Sequence, residues 1–197
     1  RWILGSKLRL GGAAASLLRG RLNATQTPPE MNRSMSPVLL TGATGFLGSH
    51  LLDDFLARGI EVVVLKRSGS GMGRIAAKMP GVRAYDVDKV PLRLAFEQQP
   101  IDAVVHLAAS YGRKGETVAD VIATNVVFGM QLLEAAAEFG VPTFINSSTF
   151  SVKGALTDGL AYYVLTKRHF SEYGERFATR ANMAFVDMQL EHVYGPA

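Results

Sequence analysis

Tyr163 and Lys167 stand four residues apart in the segment Ala161-Tyr162-Tyr163-Val164-Leu165-Thr166-Lys167, a spacing that puts both side chains on one face of a helix. A free phenol titrates near 10 and is a poor acid–base group at neutral pH. An ammonium beside it favours the phenolate and lowers that value, so the pair reads as a proton-transfer device. The alternative is an ordinary half-buried aromatic, and Tyr162 shows that this helix tolerates one. A second signal lies in Val38-Leu39-Leu40-Thr41-Gly42-Ala43-Thr44-Gly45-Phe46-Leu47-Gly48, where an apolar strand runs into three glycines spaced three apart and then into an amphipathic run. Such a turn presents backbone N–H groups and a helix N-terminus to a dinucleotide pyrophosphate. A Cβ at Gly42, Gly45 or Gly48 would obstruct the tight turn or the close approach. The competing reading is a plain Gly-rich strand-to-helix loop.

The elements that would position these groups alternate along the chain. Strands are expected at Val38–Leu40, Glu61–Leu65, Val82–Tyr85, Ala103–Leu107, Thr143–Asn146 and Ala184–Leu190. Between them Phe46, Leu47, Leu51, Leu52, Phe55 and Leu56 repeat at helical spacing, as do Val121, Val126, Leu132, Leu133 and Ala136. Gly59 and Gly140 sit where two of these helices should stop. Strand alternating with helix predicts an α/β fold with a doubly wound parallel sheet covered on both faces, its ligand at the carboxyl ends of the strands.

The chain of 197 residues, 48% hydrophobic, is long enough for one full core. It has no cysteine, which excludes disulfides and Cys-based zinc sites, and its four histidines show no metal spacing, so no metal is expected. The net charge of +4 is unevenly spread. Residues 1–36 carry Arg1, Lys7, Arg9, Arg19, Arg21 and Arg33 against Glu30, a net of +5, and residues 37–197 carry −1. The folded part is therefore not basic, and no nucleic-acid partner is expected. The tail, 1–36, is expected to be disordered, either a targeting segment or sequence upstream of a start at Met31 or Met35. Its longest apolar stretch, Ala13 to Leu18, is too short to span a bilayer, and no membrane partner is expected.

The motifs also fall in a recognisable order. Thr41-Gly42-Ala43-Thr44-Gly45-Phe46-Leu47-Gly48, His106-Leu107-Ala108-Ala109, Asn125, Ser147-Ser148-Thr149, the Tyr163/Lys167 pair and Val193-Tyr194-Gly195-Pro196 resemble those of extended short-chain dehydrogenases/reductases. More narrowly they resemble the NAD-dependent epimerase/dehydratase family, most of whose members act on nucleotide sugars. The resemblance covers residues 37–197 and implies a Rossmann domain, with most of the C-terminal substrate lobe of extended members absent from the sequence. It assigns Thr149, Tyr163 and Lys167 as catalytic, with Ser148 as the second choice for the Ser/Thr position. Lys167 would also hold the nicotinamide ribose. Gly42, Thr44, Gly45, Phe46, Leu47, Val87, Leu107, Ala108, Ala109 and Asn125 would contact or organise the cofactor, and Asp86 would contact adenine. His106 is expected to order the loop after its strand.

Cofactor choice is read after the second expected strand, where Lys66-Arg67-Ser68 carries no acid to accept the ribose 2′-hydroxyl. A charge-assisted pair from Arg67, with Lys66 beside it, favours the 2′-phosphate of NADP(H) over NAD(H); a solvated basic loop is the alternative. This inclines the reading toward a reductase of a keto sugar nucleotide; a cytoplasmic location and a homodimer are expected separately. A nucleotide-sugar 4-epimerase or 4,6-dehydratase, or a non-catalytic NADP-binding regulator, are the alternatives. Two positions depart from the family's pattern: Lys153 stands where Tyr is common, and His192 where Asn is common.

Overall fold

The computed structural model describes residues 7–10, 37–113, 115–150, 160–191 and 193–195. Six parallel strands run β2 (Val38–Thr41), β3 (Val62–Lys66), β4 (Arg83–Asp86), β5 (Ala103–His106), β6 (Thr143–Thr149) and β7 (Ala184–Leu190), preceded by β1 (Lys7–Leu10). The helices are α1 (Phe46–Ala57), the short α2 (Leu94–Glu97), α3 (Val118–Glu138) and α4 (Ala161–Arg180). The sheet order is β1-β7-β6-β5-β2-β3-β4. After β2 the chain winds outward through β3 and β4, then returns to β5 on the other side of β2. The carboxyl ends of β2 and β5 therefore flank the topological switch point, where open α/β sheets take their ligands.

The central strands are apolar on both faces, as helices on both sides require. Leu39, Val63, Val104 and Phe144 pack with Leu132, Leu133 and Ala136 of α3 and Phe170 of α4. Leu40, Val62, Val64 and Val105 pack with Leu52 of α1 on the other face. Each fully buried aliphatic or aromatic side chain contributes roughly 1.5–3 kcal/mol. Gly59 and Gly140 end α1 and α3 at φ +70°. Ile60 N–H then donates to the Phe55 carbonyl and Val141 N–H to the Ala136 carbonyl, closing both helices with the same left-handed cap. At the other end of α3, Thr117 and Asp120 form a reciprocal capping box.

Two expectations change. Within the segment expected to be disordered, Lys7–Leu10 pairs antiparallel with β7, Arg9 in register with Asp187. A strand of alternating charged and apolar residues satisfies one free edge of the sheet; the rest of 1–36, with Met31 and Met35, lies outside the described residues. The second change is in α3, where Ala123–Val127 forms a π-turn. The wider turn advances the phase, so Asn125 is buried and Val126, expected on the core face, is only half-buried.

Candidate active site

The glycine turn is closed as tightly as its sequence demands. Gly42 has φ +72°, and Gly45 N–H donates to the Gly42 carbonyl at 3.0 Å. A Cβ on Gly48 would lie 2.1 Å from the Gly42 oxygen, and one on Gly42 2.7 Å from the Leu107 carbonyl carbon. The N-terminus of α1 can pack on the turn, and the turn on the loop after β5, only because these side chains are missing. Between them opens a cleft of about 1040 Å³.

Most of the expected site residues line that cleft. Gly42, Thr44, Gly45, Phe46 and Leu47 do so from the turn, Lys66, Arg67 and Val87 from the ends of β3 and β4, and Leu107, Ala108 and Ala109 from the loop after β5. Thr149, Tyr163 and Lys167 line it from the end of β6 and from α4. Ser148 lines it as well. Lys153, His192 and Pro196 lie outside the described residues.

Two expected residues do not line it. Asp86 sits beside it and is ion-paired with Lys66. Asn125 is buried behind the wall: its side chain accepts the Ser110 N–H at 2.7 Å and donates to the Ser110 carbonyl at 2.8 Å and the Thr166 hydroxyl at 3.0 Å. It joins α3, α4 and the loop after β5, and the π-turn is what aims it inward.

A hydrogen-bonded chain ties the lysine to the glycine turn. Lys167 Nζ donates to the Ser147 carbonyl at 2.7 Å. Ser147 Oγ donates to the His106 carbonyl at 3.0 Å, and His106 Nδ1 lies 2.8 Å from Thr41 Oγ1. Thr41 Oγ1 also accepts the N–H groups of Leu107 and Ala108, both at 3.1 Å. With both lone pairs taken, the Thr41 proton goes to His106 Nδ1, leaving the ring neutral with its proton on Nε2. Burial agrees, holding the imidazole near 3, with the Lys167 charge adding to the effect. His106 thus orders the loop, as expected.

The tyrosine departs from expectation. Its phenol is pushed above its ordinary value, first by burial and then by Tyr111, while a hydrogen bond from the Thr149 hydroxyl pulls it down. The Tyr111 ring stacks on the Tyr163 ring at 4.3 Å. Lys167 does not act on the phenol as the i,i+4 spacing implied, because its ammonium is committed to the Ser147 carbonyl. Burial lowers Lys167 to about 8, against which Asp187 acts. Tyr111 has no motif signal, and neither does Asp88, which lines the cleft and accepts both the N–H and the hydroxyl of Ser68.

A family model described as "NAD dependent epimerase/dehydratase family" matches residues 38–197. The CDP-abequose synthase of Salmonella typhimurium is 34% identical over 164 residues, covering 81% of this chain and 54% of that protein. The UDP-glucose 4-epimerase of Streptococcus mutans is 30% identical over 145 residues, covering 70% of this chain and 43% of that protein. Among solved structures, the UDP-glucuronic acid 4-epimerase of Bacillus cereus in complex with NAD superposes with a TM-score of 0.69 at 27% identity, covering 81% of this chain and 57% of its own. The chain spans about half the length of these relatives.

Proposed function

Because this chain belongs to the NAD-dependent epimerase/dehydratase family, we propose that it forms the dinucleotide-binding and proton-transfer part of an NAD(P)-dependent oxidoreductase acting on a nucleotide sugar. One observation supports this most: a single cleft holds both the Gly42–Gly48 turn and the side chains of Thr149, Tyr163 and Lys167. A phosphate cradle alone would suit a regulator that only binds a dinucleotide; the proton-transfer groups beside it favour an enzyme.

The cleft fits a dinucleotide. The space where a Cβ of Gly42 or Gly48 would clash is what lets backbone N–H groups come close to a pyrophosphate. Gly42, Thr44, Gly45, Phe46 and Leu47 would hold the pyrophosphate, Arg67, Lys66 and Val87 the adenosine end, and Leu107 to Ala109 the opposite side. Lys167 would hold the nicotinamide ribose. Asp86 would act through Lys66, and Asn125 by fixing the wall. When bound, the nicotinamide supplies or accepts hydride. Tyr163 exchanges the proton with the reacting oxygen, a contribution of roughly 10²–10⁴-fold, and Thr149 orients both the phenol and that oxygen. The protonated Tyr163 phenol would give its proton to the carbonyl oxygen as a keto sugar nucleotide is reduced.

Among the described residues no carboxylate pairs with Arg67, while Asp88 is taken up by Ser68; this favours NADP(H) over NAD(H). Nucleotide-sugar 4-epimerisation or 4,6-dehydration is the second reading, favoured by the likeness to UDP-glucose 4-epimerases. The partly exposed Val118, Ile122 and Val127 of α3, with Tyr162 and Tyr173 of α4, suit a homodimer. A cytoplasmic location without membrane or nucleic-acid partner completes the proposal. Helix α3 is long and apolar enough by composition to cross a bilayer, but Leu132, Leu133 and Ala136 are spent on the sheet.

The test is to supply the full-length protein with NADPH and a panel of keto sugar nucleotides. Stoichiometric NADPH oxidation is expected. Interconversion of sugar nucleotides with no net NADPH consumed would select the second reading.

A further inference from the structure

Asp187 is a carboxylate in the core, 5% exposed, on the face of β7 that packs against α4. One step down the same face, Phe185 stacks on Phe144 and meets Phe170 edge-on. An ionised carboxylate in such a layer is costly unless hydrogen-bonded and paired. Asn146 Nδ2, its register partner on β6, donates to it at 2.6 Å, and Ser171 Oγ lies 3.0 Å away. The Ser148 hydroxyl also bonds it.

These partners bracket the lysine. Ser171 is one turn beyond Lys167, with its Oγ 3.0 Å from the Lys167 carbonyl oxygen and 3.3 Å from Ser148 Oγ. Asn146 and Ser148 flank Ser147, whose carbonyl receives the Lys167 ammonium. We propose that Asp187 is a positioning residue for the Lys167–Tyr163 centre, clamping the carboxyl end of β6 to α4 and standing as the buried counter-charge behind Lys167. The inference rests on the role proposed above for Tyr163 and Lys167.

The charges around Lys167 come from few elements. His106 on β5 is neutral, Tyr163 on its own helix is protonated, and α3 brings Asn125 and Phe128, which carry none. Asp187 on β7 is the carboxylate in this group: burial raises its own pKa, the hydrogen bonds of Asn146, Ser171 and Ser148 and the charge of Lys167 act against that, and its charge opposes the burial that lowers Lys167 to about 8. Facing Asp187 are Lys167 of α4 and the uncharged Asn146 and Ser148 of β6; on β1 the residue in register with it is Arg9. Removing the carboxylate charge therefore lets Lys167 lose its proton closer to neutral pH.

The test is an NMR titration of the full-length protein labelled with ¹⁵N-lysine, the Lys167 resonance being assigned by its loss in Lys167→Arg. In Asp187→Asn, which keeps the side-chain volume, Lys167 is expected to titrate about one pH unit lower than in the parent. Asp187→Ser, which removes the same charge and keeps a hydroxyl toward Asn146 and Ser171, shifts it the same way and serves where Asp187→Asn does not fold. A Lys167 midpoint unmoved in the folded variants overturns the proposal. Because the titration is read without substrate, it stands or falls separately from the sugar chemistry, which Tyr163→Phe tests.

Discussion

The ring of Tyr111 lies 4.3 Å from that of Tyr163 with 22° between their planes, and the two hydroxyls are hydrogen-bonded. Tyr111 thus helps burial keep the Tyr163 phenol protonated. Tyr111→Ala removes both the stack and the bond, so Tyr163 should titrate lower, toward the ordinary phenol value of about 10. In a reductase that uses the phenol as an acid, the loss of activity at high pH should move to lower pH with it. Titration of ¹³C-labelled tyrosine would show this; an unmoved Tyr163 would mean that Tyr111 does not influence it.

His106 gives the protein a pH dependence of known sign. Its folded value, about 3, lies below the ordinary 6.5, so the native state binds fewer protons than the unfolded chain across that window. The stability this confers is fully present above pH 6.5 and is lost as the pH falls toward 3, on the order of 3–5 kcal/mol in all. Urea unfolding at pH 7.5 and 4.5 should show a smaller difference for His106→Asn than for the parent. An identical difference would contradict it.

Gly48→Ala should be strongly destabilising, about 3 kcal/mol or more, because its Cβ meets the backbone oxygen of Gly42 at 2.1 Å and no side chain can yield. Gly69→Ala has open space within 4 Å and should stay within about 0.5 kcal/mol of the parent. Denaturant midpoints for the two variants decide the matter; equal midpoints would show that the turn is not tight.

Arg67→Ala should weaken NADP(H) binding at least about tenfold, as expected for a lost charge-assisted bond of roughly 1.5–3 kcal/mol, and leave NAD(H) nearly unchanged. Lys66→Ala should act less directly on the phosphate, since its ammonium is held by Asp86. Calorimetric titration of both dinucleotides with each variant separates these outcomes, and equal losses for both would remove the argument for NADP(H).

What could be read from the sequence followed the local periodicity. The apolar runs around Leu39, Val63, Val104 and Phe144 and the stops at Gly59 and Gly140 place the sheet and its helices, with strand ends off by one residue at β2, β3, β4 and β5 and by three at β6. The glycine turn was legible because its three glycines stand within seven residues at the end of an apolar run, although the backbone that excludes a Cβ on Gly42 is that of Leu107, far along the chain. Contacts that close across the sheet were not legible. Asp86 meets Lys66 twenty residues away and Asp187 meets Asn146 forty-one residues away, and no local pattern announces either. The π-turn was hidden too, because Val121 and Val126 fit an uninterrupted helix until Asn125 finds Ser110. The Tyr163–Lys167 spacing put both residues on one helix face, and both line the cleft, but it could not show that Ser147 would take the ammonium.

Tyr163 is the group proposed to transfer the proton. The most direct measurement is turnover of the full-length protein and its Tyr163→Phe variant on a panel of sugar nucleotides, with dinucleotide affinity measured alongside. A fall in kcat of roughly 10²–10⁴-fold is expected, with cofactor affinity within about twofold of the parent. A variant that keeps full turnover wherever the parent is active would show that Tyr163 is not the acid–base group.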